Sequence, residues 1–167
     1  GPDDLLICTL ALGAEMLVLG GAAADRAEAQ TVLREKIASG EGARVFERMI
    51  EAQGGDPRVV TDPDRLPSCH HLVEVVSDGD GVIQAIDALE LGLTAVAMGA
   101  GRTRADQRVD PAVGIELCCQ RGDEIEVGQP LALLHVRDPA AADEPAVRVR
   151  RAFTIDPDGE PDREPQP

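Results

Sequence analysis

Two aromatic side chains, Phe46 and Phe153, are all that this 167-residue sequence contains; tryptophan and tyrosine are absent. Its core must therefore be assembled from Leu, Val, Ile, Ala and Met. Proteins that hold single-stranded nucleic acid stack the bases on aromatic rings, and sugar-binding surfaces use rings as well, so neither platform is available. Lysine is nearly missing too: Lys36 is the only one, and arginine carries the rest of the basic charge. Arginine-only chemistry suits bidentate anion contacts, but it is also what an Ala-, Gly- and Pro-rich composition produces. Positive charge as a whole is scarce, with 16 basic against 31 acidic residues and a net charge of −15. Such a field repels phosphate backbones, so DNA and RNA are not expected partners. Cysteine is sparse, at Cys8, Cys69, Cys118 and Cys119. No C-x-x-C is present, which excludes the usual zinc and redox motifs, and adjacent cysteines do not readily pair. Cys8 and Cys118 lie in apolar runs and read as small core residues. Reduced thiols then fit a cytoplasmic protein. The one long apolar stretch, Leu5 to Gly20, is shorter than a membrane span, carries Glu15 and has no basic flank. It reads as a buried helix, and no membrane partner is expected.

The hydrophobic share is 43%, enough for one domain or two small pieces sharing a core. A chain of this length buries roughly two thirds of its unfolded surface, so a metal or disulfide staple is not required. The first third has helical texture. Asp3 or Asp4 can cap a helix ending at Gly20-Gly21. Because that helix is apolar nearly all round, it should be covered on several sides. A second helix starts at a capping box formed by Asp25 and Glu28, with a stripe of Ala29, Val32, Leu33 and Ile37. A third spans about 42–53, with Val45, Phe46, Met49 and Ile50 on one face; Gly54-Gly55 and Asp56-Pro57 end it. Residues 61–69 read as a linker.

Beyond it, short strands and turns take over. Leu72–Val76 and Val82–Ile86, flanking Asp78-Gly79-Asp80-Gly81, suggest a hairpin. Leu89–Met98 has helical spacing and stops at Gly99. Val113–Leu117 and Leu131–Val136 read as strands, with turns at Gly122-Asp123 and Gly128-Gln129-Pro130 around a short one between them. Val147–Ile155 is predicted as a strand or a short helix. The acidic, Pro-rich stretch 156–167 has no apolar residue and is predicted to be disordered. The fold class is α+β.

The strongest local candidate for a binding site is Met98-Gly99-Ala100-Gly101-Arg102-Thr103-Arg104. Glycines let backbone N–H groups approach an anion, and Arg102 and Arg104 can fork onto its oxygens. The loop follows a helix instead of opening one and lacks the P-loop lysine; a tight turn with its arginines paired to acids is the competing reading. Cys69-His70-His71 does not make a metal site, because neighbours on a strand point to opposite faces. His135 ends an apolar strand and should be half-buried and hydrogen-bonded. Asp78, Asp80, Asp87, Asp106 and Asp110 are turn formers first, and the calcium-loop spacing is incomplete. No metal ligand set, cofactor or catalytic residue is expected. The run Gly122-Asp123-Glu124-Ile125-Glu126-Val127-Gly128-Gln129-Pro130-Leu131 resembles barrel-sandwich carriers of the biotinyl and lipoyl type. With Lys36 far upstream, a lysine-linked carrier is excluded.

Several segments in order resemble the pyrimidine-nucleoside phosphorylase family, which includes thymidine phosphorylase. They are Leu10-Ala11-Leu12-Gly13-Ala14-Glu15-Met16-Leu17, then Phe46-Glu47-Arg48-Met49-Ile50-Glu51-Ala52-Gln53-Gly54-Gly55-Asp56-Pro57, then Ile86-Asp87-Ala88 with Gly92 and Gly99-Ala100-Gly101-Arg102. Val109-Asp110-Pro111-Ala112-Val113-Gly114-Ile115, Gly122-Asp123 and Gly128-Gln129-Pro130-Leu131-Ala132 complete the match, which runs from about Asp4 to Val136. Val82 departs from it, since the family often has an aromatic there. The resemblance implies phosphorolysis of a pyrimidine nucleoside by phosphate, giving the base and a pentose 1-phosphate, in a homodimeric cytoplasmic enzyme. It also implies that residues 1–60 are the helical end of a larger α/β domain and that 70–155 form a hammerhead or barrel-sandwich-like β lobe. The family's Lys-His-Ser segment and its base-binding Arg, Ser and Lys are not found in this sequence. The chain is therefore expected to support a site whose reacting groups lie elsewhere; the alternatives are a non-catalytic assembly module of the same fold and a different anion site around Arg102 and Arg104.

Overall fold

The structure, a computed structural model, describes residues 3–161. Between Arg65 and Leu66 the chain divides into two compact units. The first is helical. Helix α1 (Asp3–Leu19) contains both aspartates proposed as caps, and its cap position lies outside the described residues. It closes at the expected glycines, with Ala22 N–H donating to the Leu17 carbonyl (2.8 Å) and Gly21 N–H to that of Val18 (3.0 Å). Helix α2 (Arg26–Ala38) starts on the predicted capping box: Glu28 N–H donates to the Asp25 carboxylate (2.9 Å), and the Glu28 carboxylate accepts from Ala24 N–H (2.7 Å). Helix α3 (Glu41–Ala52) ends at Gly54 and Gly55, and two 3-10 turns (Pro57–Val60 and Pro63–Arg65) follow.

Helices α1 and α2 pack closely because Gly13 leaves room for Leu33; a Cβ at Gly13 would lie 2.9 Å from Leu33 Cδ1. Leu10, Ala14 and Ala29 are buried. The rest of α1 is not covered as its composition suggested: Leu5, Leu12, Met16 and Leu19 are all exposed, Leu19 by 85%. One neighbouring helix buries one stripe of a helix, and α1 is apolar over much more than a stripe. On α3 the apolar face of Val45, Phe46 and Met49 is likewise exposed.

The second unit is built on six strands: β1 (His71–Val76), β2 (Gly81–Ile86), β3 (Gly114–Leu117), β4 (Glu124–Ile125), β5 (Pro130–Val136) and β6 (Phe153–Asp156). They form two three-stranded antiparallel sheets, ordered β1-β5-β3 and β4-β2-β6. Strands alternate between the sheets along the chain, so no strand pairs with its sequence neighbour. The β1–β2 hairpin is therefore not formed. The polar groups of the intervening turn are taken up elsewhere: Ser77 exchanges bonds with the 128–129 turn, its N–H donating to the Gln129 carbonyl and its carbonyl accepting from Gly128 N–H (both 2.9 Å). The Asp80 carboxylate accepts from Val127 N–H at 2.6 Å. These bonds leave β2 free to enter the other sheet. The sheets do not close into a barrel.

One aliphatic core holds both sheets. Val75, Leu131, Ala132, Leu134 and Val136 from the first meet Ile83, Ile125 and Phe153 from the second, joined by Ala142 and Val149. Val149 comes from α5 (Asp143–Arg151), so the 147–155 segment supplies both a helix and a strand. Helix α4 (Ala88–Ala95) is capped by the Asp87 carboxylate, which accepts from Glu90 N–H at 3.0 Å. In α5 Arg148 donates to Glu90 (2.7 Å) and Arg150 to the Val76 carbonyl (2.9 Å), tying α5 to α4 and to β1. Of the predicted disordered stretch, Asp156 ends β6 and residues 162–167 lie outside the described ones.

Gly81 opens β2 at φ +146°, and a Cβ there would lie 2.4 Å from the Asp156 carbonyl oxygen. Gly81→Ala is expected to destabilise this unit by at least about 1–3 kcal/mol from backbone strain, with the backbone clash adding to it. Gly79→Ala, whose Cβ meets nothing within 4 Å, should change little. Urea unfolding of the two variants checks the contrast.

Candidate functional site

The predicted anion loop is a closed, cross-tied structure. Helix α4 continues into a wider turn over Val96–Ala100, which Gly99 ends at φ +110°. Gly101 lies so close to Val96 that a Cβ would stand 2.6 Å from its Cγ2. Gly99 is required by its φ, whereas a side chain at Gly101 would have to displace that of Val96. The loop returns to its start where Asp110 N–H donates to the Gly99 carbonyl at 2.9 Å. Inside this neck, Thr103 donates from its N–H (3.1 Å) and its hydroxyl (3.2 Å) to Gln107 Oε1. Arg104 grips Asp106 with two bonds of 3.1 and 3.0 Å.

The two candidate arginines therefore differ. Arg104 is paired in a pair whose side chains are 76% and 71% exposed, as the competing reading of this segment had it. Solvent screens such a pair, so it contributes little to stability. Arg102 is exposed and makes no ion pair among the described residues. Residues 101–109 hold three arginines against one aspartate, a local excess of positive charge in a chain of net −15. Chemically, the loop can present a guanidinium to an oxyanion; it contains no nucleophile or base arranged for reaction.

The neck is held from outside the loop by residues the sequence reading did not join. Arg137, directly after β5, donates from Nε to Asp110 Oδ2 (2.8 Å) and from Nη2 to Oδ1 (2.9 Å). Ala112 N–H donates to the same carboxylate at 3.0 Å. Arg137 first, and then the Ala112 N–H, hold the Asp110 carboxyl down at about 2. Nothing local signals this pair, because its members stand 27 residues apart.

The remaining candidates do not converge. Among the described residues no group of three or more His, Cys, Asp or Glu is placed to hold a metal ion. His135 is half-buried and bonded to Glu116 at 3.0 Å. Lys36 is paired with Glu41 at 2.6 Å. The four cysteines are free thiols, and the core assignment of Cys8 and Cys118 is corrected: both are exposed. Cys8 sits on an uncovered side of α1, and Cys118 follows the edge strand β3. Cys69 and Cys119 are half-buried; Cys119 donates toward the Leu131 carbonyl (3.4 Å), and burial pushes its thiol up to about 11.

Because the Asp110 carboxyl is depressed in the folded chain, its contribution is complete above the ordinary value of 3.8 and is lost as pH falls through about 2. Carboxyl NMR of Asp110 should show a midpoint near 2, moving up toward the ordinary value in Arg137→Gln. An unchanged midpoint in that variant would assign the depression to the backbone donor instead.

The family model for the pyrimidine nucleoside phosphorylase C-terminal domain matches residues 82–156, from β2 to the end of β6. A protein named thymidine phosphorylase from Burkholderia orbicola (strain MC0-3) is 41% identical over 160 residues, covering 95% of this chain and 36% of the relative. A pyrimidine-nucleoside phosphorylase from Bacillus subtilis (strain 168) is 38% identical over 135 residues, covering 81% of this chain and 31% of the relative. The chain thus spans about a third of the length of these relatives. Similarity that extends through both units, together with a family model spanning most of the two sheets, shows that the chain belongs to the pyrimidine-nucleoside phosphorylase family and corresponds to its C-terminal part.

Proposed function

We propose that this chain is the C-terminal part of a pyrimidine-nucleoside phosphorylase and acts as structural support for a site whose reacting groups lie outside it. The reaction is the attack of phosphate on a pyrimidine nucleoside, releasing the base and a pentose 1-phosphate. The observation that carries this reading is the combination of close similarity with a missing cradle. Phosphorolysis needs converging cations for the phosphate and a donor to the departing base. Here the one lysine is paired with Glu41, and Arg58, Arg104, Arg137 and Arg148 each have an acidic partner. Arg102 is the anion ligand this part can offer, with Arg104 beside it on the same loop.

Residues 1–60 are then the end of a larger α/β domain, 61–69 a linker and 70–155 the C-terminal lobe. The exposed apolar residues of α1 support the first assignment, since a surface of that kind normally has a partner. Thymidine or uridine and phosphate are the substrates, and the working enzyme is a cytoplasmic homodimer; free thiols suit that compartment. A second reading, a non-catalytic assembly module, draws support from the self-contained core of the second unit.

The test is phosphate-dependent release of thymine from thymidine and of uracil from uridine. The purified chain is expected to release neither. A fusion to the N-terminal portion of the Bacillus subtilis relative is expected to release the base. Release by the chain alone, with contaminating enzyme excluded, would overturn the proposal; an inactive but folded fusion would favour the assembly module.

A further inference from the structure

Asp110 performs three tasks with one residue. Its N–H closes the loop neck on the Gly99 carbonyl (2.9 Å). Its Oδ1 accepts from Ala112 N–H (3.0 Å), and its two carboxylate oxygens receive the Arg137 fork (2.8 and 2.9 Å). Arg137 follows Val136, and β5 is the central strand of its sheet with Leu131, Ala132, Leu134 and Val136 buried. The fork therefore ties an exposed loop to the best-anchored strand of the unit.

The loop's inner ties do not do this. The bonds from Thr103 to Gln107 and from Arg104 to Asp106 stay within residues 101–109. They fix the loop's own shape and leave its direction to the neck. Arg102 stands between the neck and the first inner tie, so its direction follows that of the neck. A planar guanidinium gripping a carboxylate at two points fixes orientation as well as distance. A lysine at the same place would keep the charge and lose the second bond.

We infer that Arg137 is a positioning residue: through its two-point hold on Asp110 it sets the neck of the 101–109 loop and so the direction in which Arg102 meets an anion. This rests on the reading of Arg102 as an anion ligand. Arg137 itself touches no substrate. Its position after the last strand residue, with the side chain 55% exposed, makes it replaceable without opening the core.

The experiment uses the purified chain and its Arg137→Gln, Arg137→Lys, Asp110→Asn and Arg102→Ala variants, with inorganic phosphate as the probe. Amide hydrogen exchange reads the neck at Asp110 and Ala112, and phosphate-induced NMR shifts read the loop. Arg137→Gln should accelerate exchange at both amides and weaken phosphate binding, each about tenfold. Asp110→Asn should weaken phosphate binding in the same way while leaving Arg137 in place. Arg137→Lys should recover part of the affinity, which a purely structural role would not require. Unchanged exchange in Arg137→Gln would overturn the hold on the neck. Faster exchange with unchanged phosphate affinity, while Arg102→Ala abolishes binding, would overturn the positioning role and leave Arg102 as the ligand. Phosphate affinity unaffected by Arg102→Ala would overturn the anion reading and this inference with it.

Discussion

One small aliphatic core, shared by two three-stranded sheets, is the contact on which the second unit depends. Each sheet alone would expose its inner apolar face to water. Ile83 and Leu134, both fully buried, stand on different sheets in the same cluster. Because the strands alternate between sheets, every turn of the chain crosses from one layer to the other. Each layer is therefore held by the other through the covalent chain as well as by packing. The scarcity of rings fits this arrangement: with Phe153 the only aromatic in the cluster, leucine, β-branched and alanine side chains fill the space between the layers.

That alternation also explains which parts of the fold were legible in the sequence. Helix ends are local events, and Asp25, Glu28, Gly21 and Gly54 mark them where the sequence reading expected; Asp87, read there as a turn former, caps α4. The strands, too, have local signatures, and β2, β3 and β5 lie within a residue or two of their expected bounds. Pairing is not local. The Asp78-Gly79-Asp80-Gly81 turn has the composition of a hairpin, yet Asp80 and the preceding Ser77 bond to residues 127–129, some fifty residues onward. Burial of Cys8 and Cys118 failed for a related reason. An apolar neighbourhood in sequence says that a surface wants cover, while the cover itself is supplied by whatever other elements pack there.

The candidate site divides along the same line. The glycines and arginines of 99–104 announce a tight loop with cationic side chains, and the loop is there. Which arginine is engaged was not legible, because Asp106 sits two residues from Arg104 and equally near Arg108. The bond that anchors the loop joins residues 27 apart. It would have required knowing that β5 runs beside β3, an arrangement fixed by the core and not by either residue.

The two units contrast in how much of their apolar surface they satisfy internally. The second buries residues from both sheets and from α5 in one cluster. In the first, α1 has two buried side chains, Leu10 and Ala14, against exposed Leu5, Ile7, Leu12, Met16 and Leu19. A helix of that composition gains little from propensity alone; tertiary packing of its faces is what normally stabilises it. Full burial of one such side chain is worth roughly 1.5–3 kcal/mol, so several left in water amount to a large unrealised stabilisation. Selection for solubility works against such a surface unless something covers it. The same argument does not apply to the second unit, whose exposed apolar side chains are scattered over several elements. The helical unit therefore leaves most of the apolar surface of α1 in water, while the β unit buries its own in one cluster.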